Sequence, residues 1–97
     1  MTELTDNNYK DELEYGTRVV VFWAPWCKFC SPVKEYLKTL DDSVSTYSCN
    51  IDSEFTIAQE FNILSLPTVI VYKDNIETTR LIGTKIYDEL KSAIESE

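Results

Sequence analysis

Two cysteines separated by two residues stand where the hydrophobic pattern of this chain changes period. The unbroken apolar run Val19-Val20-Val21-Phe22 leads into Trp23-Ala24-Pro25-Trp26-Cys27-Lys28-Phe29-Cys30, and Val33, Tyr36, Leu37 and Leu40 lead out at helical spacing. A continuous rather than alternating run fits a strand covered on both faces, so Arg18–Trp23 is expected in the middle of a sheet. The helix that follows is expected to carry the cysteines at its beginning, to run to about Leu40 and to close at Asp41-Asp42-Ser43. Pro32 admits a second reading, with Ser31 as N-cap and Pro32 as the first helical residue, which leaves Cys27 in a loop.

At such a junction the two sulfurs can reach bonding distance with little backbone movement, so the pair can cycle between dithiol and disulfide. On the first reading Cys27 faces unpaired backbone N–H groups and the positive end of the helix dipole, which stabilise a thiolate. Such settings lower a cysteine pKa from ~8.5 toward roughly 3.5–7.5, which makes Cys27 the candidate nucleophile. Cys30, one turn later and more enclosed, is placed to attack the mixed disulfide that Cys27 forms with a substrate. Lys28 adds a positive charge that favours the thiolate, and Phe29 is expected to cover one side of the sulfur pair; both are candidates for tuning its pKa. The competing readings of the motif are a structural cysteine pair or half of a zinc site.

Length and charge narrow the rest. Ninety-seven residues suit a single domain, 1–97, with a core that needs no disulfide staples. Met1-Thr2-Glu3-Leu4-Thr5-Asp6 has neither the basic nor the apolar stretch of a secretory signal, and no apolar run approaches membrane-spanning length. Three cysteines, an odd number, fit a reducing compartment better than a secreted disulfide framework, so a cytoplasmic monomer with no membrane partner is expected. The net charge of −8 argues against a nucleic-acid partner. The acidic excess, which includes Glu95-Ser96-Glu97, reads as solvation of exposed faces. Without histidine, and with three cysteines remote from one another apart from the motif, a closed zinc site lacks ligands. The chain holds no flavin or nicotinamide fingerprint, so no bound cofactor is expected and electrons must come from a partner or a small thiol.

The remaining elements follow in order. The first residues have room for only a stub of strand; Leu4-Thr5-Asp6-Asn7, with its cap-type residues, then opens a short helix through Tyr9 and Leu13 that ends at Gly16. Val44–Asn50 is a third strand, and Asp52 or Ser53 caps a short helix whose apolar positions are Ile57, Ala58 and Phe61. Val69-Ile70-Val71-Tyr72, the turn Asp74-Asn75 and the returning Thr78–Ile82 make an antiparallel hairpin that Gly83 ends. Thr84 then caps a last helix with the stripe Ile86, Leu90, Ala93 and Ile94. The order β-α-β-α-β-α-β-β-α implies an α/β fold, a mixed central sheet flanked by helices.

Trp23-Ala24-Pro25-Trp26-Cys27-x-x-Cys30 resembles the active-site segment of the thioredoxin family, and Leu66-Pro67-Thr68 resembles its second signature, a proline before the hairpin strand. The resemblance spans essentially the whole chain. It implies the thioredoxin fold, a cis Leu66-Pro67 bond packed against the cysteines, and a substrate groove formed by Trp26, Leu66, Pro67, Ile82 and Gly83. It also implies a thiol–disulfide oxidoreductase that reduces protein disulfides and is itself restored by a flavin-dependent thioredoxin reductase or by glutathione. A glutaredoxin-like, glutathione-coupled protein and a redox-silent binding module of the same fold are the alternatives, with a metal or cluster carrier behind them.

The chain departs from the family pattern at four places. Lys28-Phe29 stands where thioredoxins usually have Gly-Pro. Val21, six residues before Cys27, stands where many have a buried Asp that assists proton transfer at the resolving cysteine, and Ser48 stands where that Asp has a lysine partner. Without the carboxylate, Cys30 is expected to resolve more slowly or to hold its proton to higher pH. Cys49, at an ordinarily aliphatic position, reads as a small buried hydrophobe.

Overall fold

The computed structural model describes residues 1–95; Ser96 and Glu97 of the acidic tail lie outside them. The elements are β1 (Thr2–Glu3), α1 (Tyr9–Glu12), β2 (Thr17–Trp23), α2 (Cys30–Lys38), β3 (Ser45–Asn50), α3 (Phe55–Glu60), β4 (Thr68–Lys73), β5 (Ile76–Ile82) and α4 (Lys85–Glu95). The strands form one mixed sheet in the order β1-β3-β2-β4-β5, so the apolar run of β2 lies at the centre. β2 runs parallel to β3 and antiparallel to β4, and β4 pairs antiparallel with β5.

Successive residues of β2 feed two different cores, which is why the run is continuous. Val19 and Val21 pack with Val33 and Leu37 of α2 and Ile86 and Leu90 of α4. Val20 and Phe22 pack on the other face with Tyr9, Leu13, Tyr47, Ile57 and Tyr72. All four residues of the run are fully buried, each contributing about 1.5–3 kcal/mol. The stripe expected on α4 faces the first core, with Ile86, Leu90 and Ala93 buried and Ile94 partly so.

Turn chemistry closes the hairpin and ties the sheet together. Asp74 and Asn75 both take positive φ, 51° and 70°, the backbone that a tight two-residue hairpin requires and that Asp and Asn tolerate best after glycine. At the same end of the sheet the Gly16 N–H donates to Asp74 Oδ1 at 2.8 Å, and the Asp74 N–H donates back to the Gly16 carbonyl at 3.1 Å.

Three local expectations are corrected. The first helix is confined to Tyr9–Glu12, and Gly16 turns the chain into β2 rather than ending the helix itself. α3 is capped by neither Asp52 nor Ser53: Asp6, distant in sequence, accepts the Thr56 and Ile57 N–H groups at 3.2 and 3.0 Å, while its own N–H donates to Glu54 at 2.9 Å. A carboxylate brought by the loop after β1 satisfies the first turn more directly than any local side chain does. The third correction concerns the start of α2 and the cysteines it carries.

Candidate active site

β2 ends at Trp23, and the chain turns through Ala24–Phe29 before α2 begins at Cys30 with Phe29 as its N-cap. The Cys27 N–H donates to the Ala24 carbonyl at 3.0 Å and the Cys30 N–H to the Cys27 carbonyl at 3.4 Å, two tight turns that bring the Cα atoms of Cys27 and Cys30 to 5.5 Å. The two are joined as a disulfide. Cys27 therefore precedes the helix instead of opening it, and Ser31 and Pro32 lie within its first turn. Pro32 fits there because its missing N–H is one of the donors that a first turn leaves unpaired anyway. Since the field of a helix end fades within a turn, Cys27, which precedes the first N–H groups of α2, feels the dipole only from outside the helix.

Burial separates the two sulfur-bearing residues. Cys30 is 1% exposed, among Val33, Leu37 and the sheet, whereas Cys27 is half-buried. Lys28 is exposed. Phe29 is 77% exposed and turns one side to the groove described next.

Beside the pair runs an apolar groove of about 300 Å³. Phe29, Pro32 and Val33 wall it from the cysteine side, and Leu66 and Pro67 from the approach to β4. Gly83, Thr84 and Tyr87 close it at the start of α4. The Leu66-Pro67 bond is cis, and the pairing of β4 begins only at Thr68, which leaves the Leu66 backbone outside the sheet ladder. Gly83 has φ +66°, yet a Cβ there would meet nothing within 4 Å: the position asks for glycine through its backbone angle, not through crowding.

Of the residues expected to form the groove, Leu66, Pro67 and Gly83 line this cavity. Trp26 and Ile82 lie outside its lining; Trp26 is 67% exposed, with its indole N–H reaching Asp52 Oδ1 at 3.4 Å, and Ile82 is 47% exposed at the end of β5. Tyr87 was not singled out in the sequence. On α4 it falls beside the Ile86-Leu90 stripe, and its position just after Gly83-Thr84 is the signal that could have found it.

Beneath the site, Val21 is fully buried and Ser48 nearly so. Cys49 is fully buried on the other face, and desolvation, reinforced by the charges of Glu54 and Asp6, pushes its thiol up to about 12. It is a core side chain, not a reactive thiol.

A buried and a half-exposed cysteine, linked at the strand-to-helix end of a central parallel pair, with an adjoining groove that a cis-proline lines, define a thiol–disulfide oxidoreductase. The thioredoxin family model matches residues 1–96. Thioredoxins from Staphylococcus saprophyticus and Staphylococcus haemolyticus are 29% and 26% identical to it, each over 98% of this chain and 95% of theirs. In fold it is similar to mitochondrial thioredoxin 3 from Saccharomyces cerevisiae in its oxidised form, with a TM-score of 0.86 at 24% identity over 100% of this chain and 95% of that one. A variant thioredoxin from Halobacterium salinarum superimposes with a TM-score of 0.86 at 20% identity, over 98% and 88% of the two chains. The chain belongs to the thioredoxin family.

Proposed function

We propose that this thiol–disulfide oxidoreductase works as a reductant of protein disulfides, with Cys27 as nucleophile and Cys30 as resolving thiol. The observation that carries the assignment is the difference in exposure between the two residues. The Cys27 thiolate, favoured by Lys28, attacks one sulfur of the substrate disulfide; that bond breaks and the first substrate thiolate leaves. The Cys30 thiolate then attacks the Cys27 sulfur, the mixed disulfide breaks, and the second substrate thiolate leaves as the Cys27–Cys30 bond closes. Two electrons have passed to the substrate, and an external reductase or glutathione returns them.

The groove beside Phe29 and Pro67 supplies the binding surface, with the Leu66 backbone available to pair with an extended peptide. Trp26 and Ile82 extend the apolar rim. A reducing compartment such as the cytoplasm suits this direction of electron flow.

Cys30→Ser is expected to trap substrate proteins as mixed disulfides on Cys27, and Cys27→Ser to trap none; the reverse pattern overturns the assignment. The reduction potential fixes the direction. A value near ~−270 mV identifies a general reductant, one near ~−200 mV glutathione coupling, and one near ~−120 mV an oxidant.

A further inference from the structure

Lys34 is the one cation held on the inner side of α2. Its spacing of four residues from Cys30 puts it on the same helix face, the face that also buries Val33 and Leu37. Its Nζ stands 3.5 Å from the centroid of the Trp23 ring, within cation–π range. Among the described residues Lys34 forms no ion pair. The indole N–H of Trp23 is buried and has no hydrogen-bond partner among them either. The ammonium thus rests on the ring of the last residue of the strand that leads to Cys27.

On this side β2 itself carries no acid. Val19 and Val21 pack against α2, and the alternation of β2 puts Trp23 on the same side; Val21 is the position at which the family resemblance implies a proton-accepting carboxylate. We propose that Lys34, anchored on Trp23, is the electrostatic positioning residue for resolution: its positive charge stabilises the Cys30 thiolate that attacks the mixed disulfide. The chain thus favours loss of the Cys30 proton to water by stabilising the resulting anion, and needs no internal base. The inference rests on Cys30 being the resolving thiol.

The other groups around Cys30 do not substitute for Lys34. Val19 and Val21, packed on α2, and Leu66 and Pro67, which share the groove with Pro32 and Val33, carry no charge; Tyr87 of that groove presents a phenol, and Ser48, which shares a cavity with Trp23, is neutral. Glu3 and Glu54 line the cavity beside Trp23, and Asp52 is engaged by Trp26; these acids oppose a thiolate. Lys28 and Glu35 lie exposed on the outer side.

Stopped-flow reaction of the reduced protein with excess 5,5′-dithiobis(2-nitrobenzoate) tests this. The first equivalent of coloured thiolate reports attack by Cys27; the second, at a rate independent of reagent concentration, reports attack by Cys30, while buried Cys49 stays silent. Lys34→Met keeps the packing of the stem and removes the charge. It is expected to move the pH midpoint of the second phase up by about one unit, slowing that phase about tenfold at pH 7, with the first phase little changed. Lys34→Arg is expected to restore the wild-type midpoint. An unchanged midpoint in Lys34→Met, or an equal shift in Lys34→Arg, overturns the proposal while leaving Cys30 as the resolver. A wild-type protein that releases only one equivalent overturns the role of Cys30, and this proposal with it.

Discussion

Val21 of β2 and Ser48 of β3 are register partners in the parallel ladder, side by side in the layer beneath the redox pair. The two positions at which the family resemblance implies an acid–lysine pair are thus neighbours in space, filled here by an apolar and a small hydroxyl residue. Val21→Asp alone is expected to cost about 3 kcal/mol or more, because it buries a carboxylate with only a hydroxyl beside it. Adding Ser48→Lys should return part of that loss in urea denaturation. Where Val21→Asp remains folded it should speed resolution by Cys30 in single-turnover kinetics; unchanged Cys30 reactivity would show that the missing carboxylate costs this chain nothing.

Tyr87 packs against Tyr36 with the rings tilted by 50° and 5.3 Å between centroids, and forms the α4 wall of the groove. Tyr87→Ala is expected to lower kcat/KM for a protein disulfide about fivefold, equivalent to ~1 kcal/mol of lost contact. Turnover of a small aromatic disulfide, which needs little of the groove, should be unaffected. Equal losses on both substrates would place the effect on the cysteines instead.

Asp6 ties the loop after β1 to the first turn of α3. Asp6→Ala leaves two backbone donors unpaired and should destabilise the protein by about 1 kcal/mol, read as a lower urea midpoint at constant m-value. Asp52→Ala and Ser53→Ala, at the local cap-type residues, should leave α3 as stable as before.

The carboxyl of Asp41 is held below the usual carboxylate range by hydrogen bonds from the N-terminal ammonium and from Thr46. The folded state then binds that proton more weakly than the unfolded chain does. Its contribution is complete above the ordinary carboxylate value of ~3.9 and disappears as pH falls through the lowered one. Asp41→Asn should accordingly be less stable than wild type at pH 6, with the difference closing toward pH 2. A pH-independent difference would assign the effect to packing alone.

The sequence disclosed the parts of the fold that depend on local pattern. The central place of β2 followed from four consecutive apolar residues, the hairpin from Asp74-Asn75, and the inner face of α4 from Ile86, Leu90 and Ala93. What it did not disclose depends on groups far apart in the chain or on where a turn finishes. The cap of α3 comes from Asp6, which no window around Phe55 contains. The helix begins at Cys30 rather than Cys27 because the two turns from Ala24 must close first, and neither has a residue signature of its own. Phe29 reads as apolar cover in the sequence, but that it shares a groove with Tyr87 depends on a residue 58 positions away in the chain.

The reciprocal bonds between Gly16 and Asp74 lie at the opposite end of the sheet from the cysteines. They fasten the entrance of the central strand to the hairpin, so strand alignment is secured without any help from the segment that carries the chemistry. One end of the molecule keeps the architecture and the other is left free to change its reactivity. Lys28 and Phe29, both exposed between the cysteines, stand at that second end, outside the strand ladder.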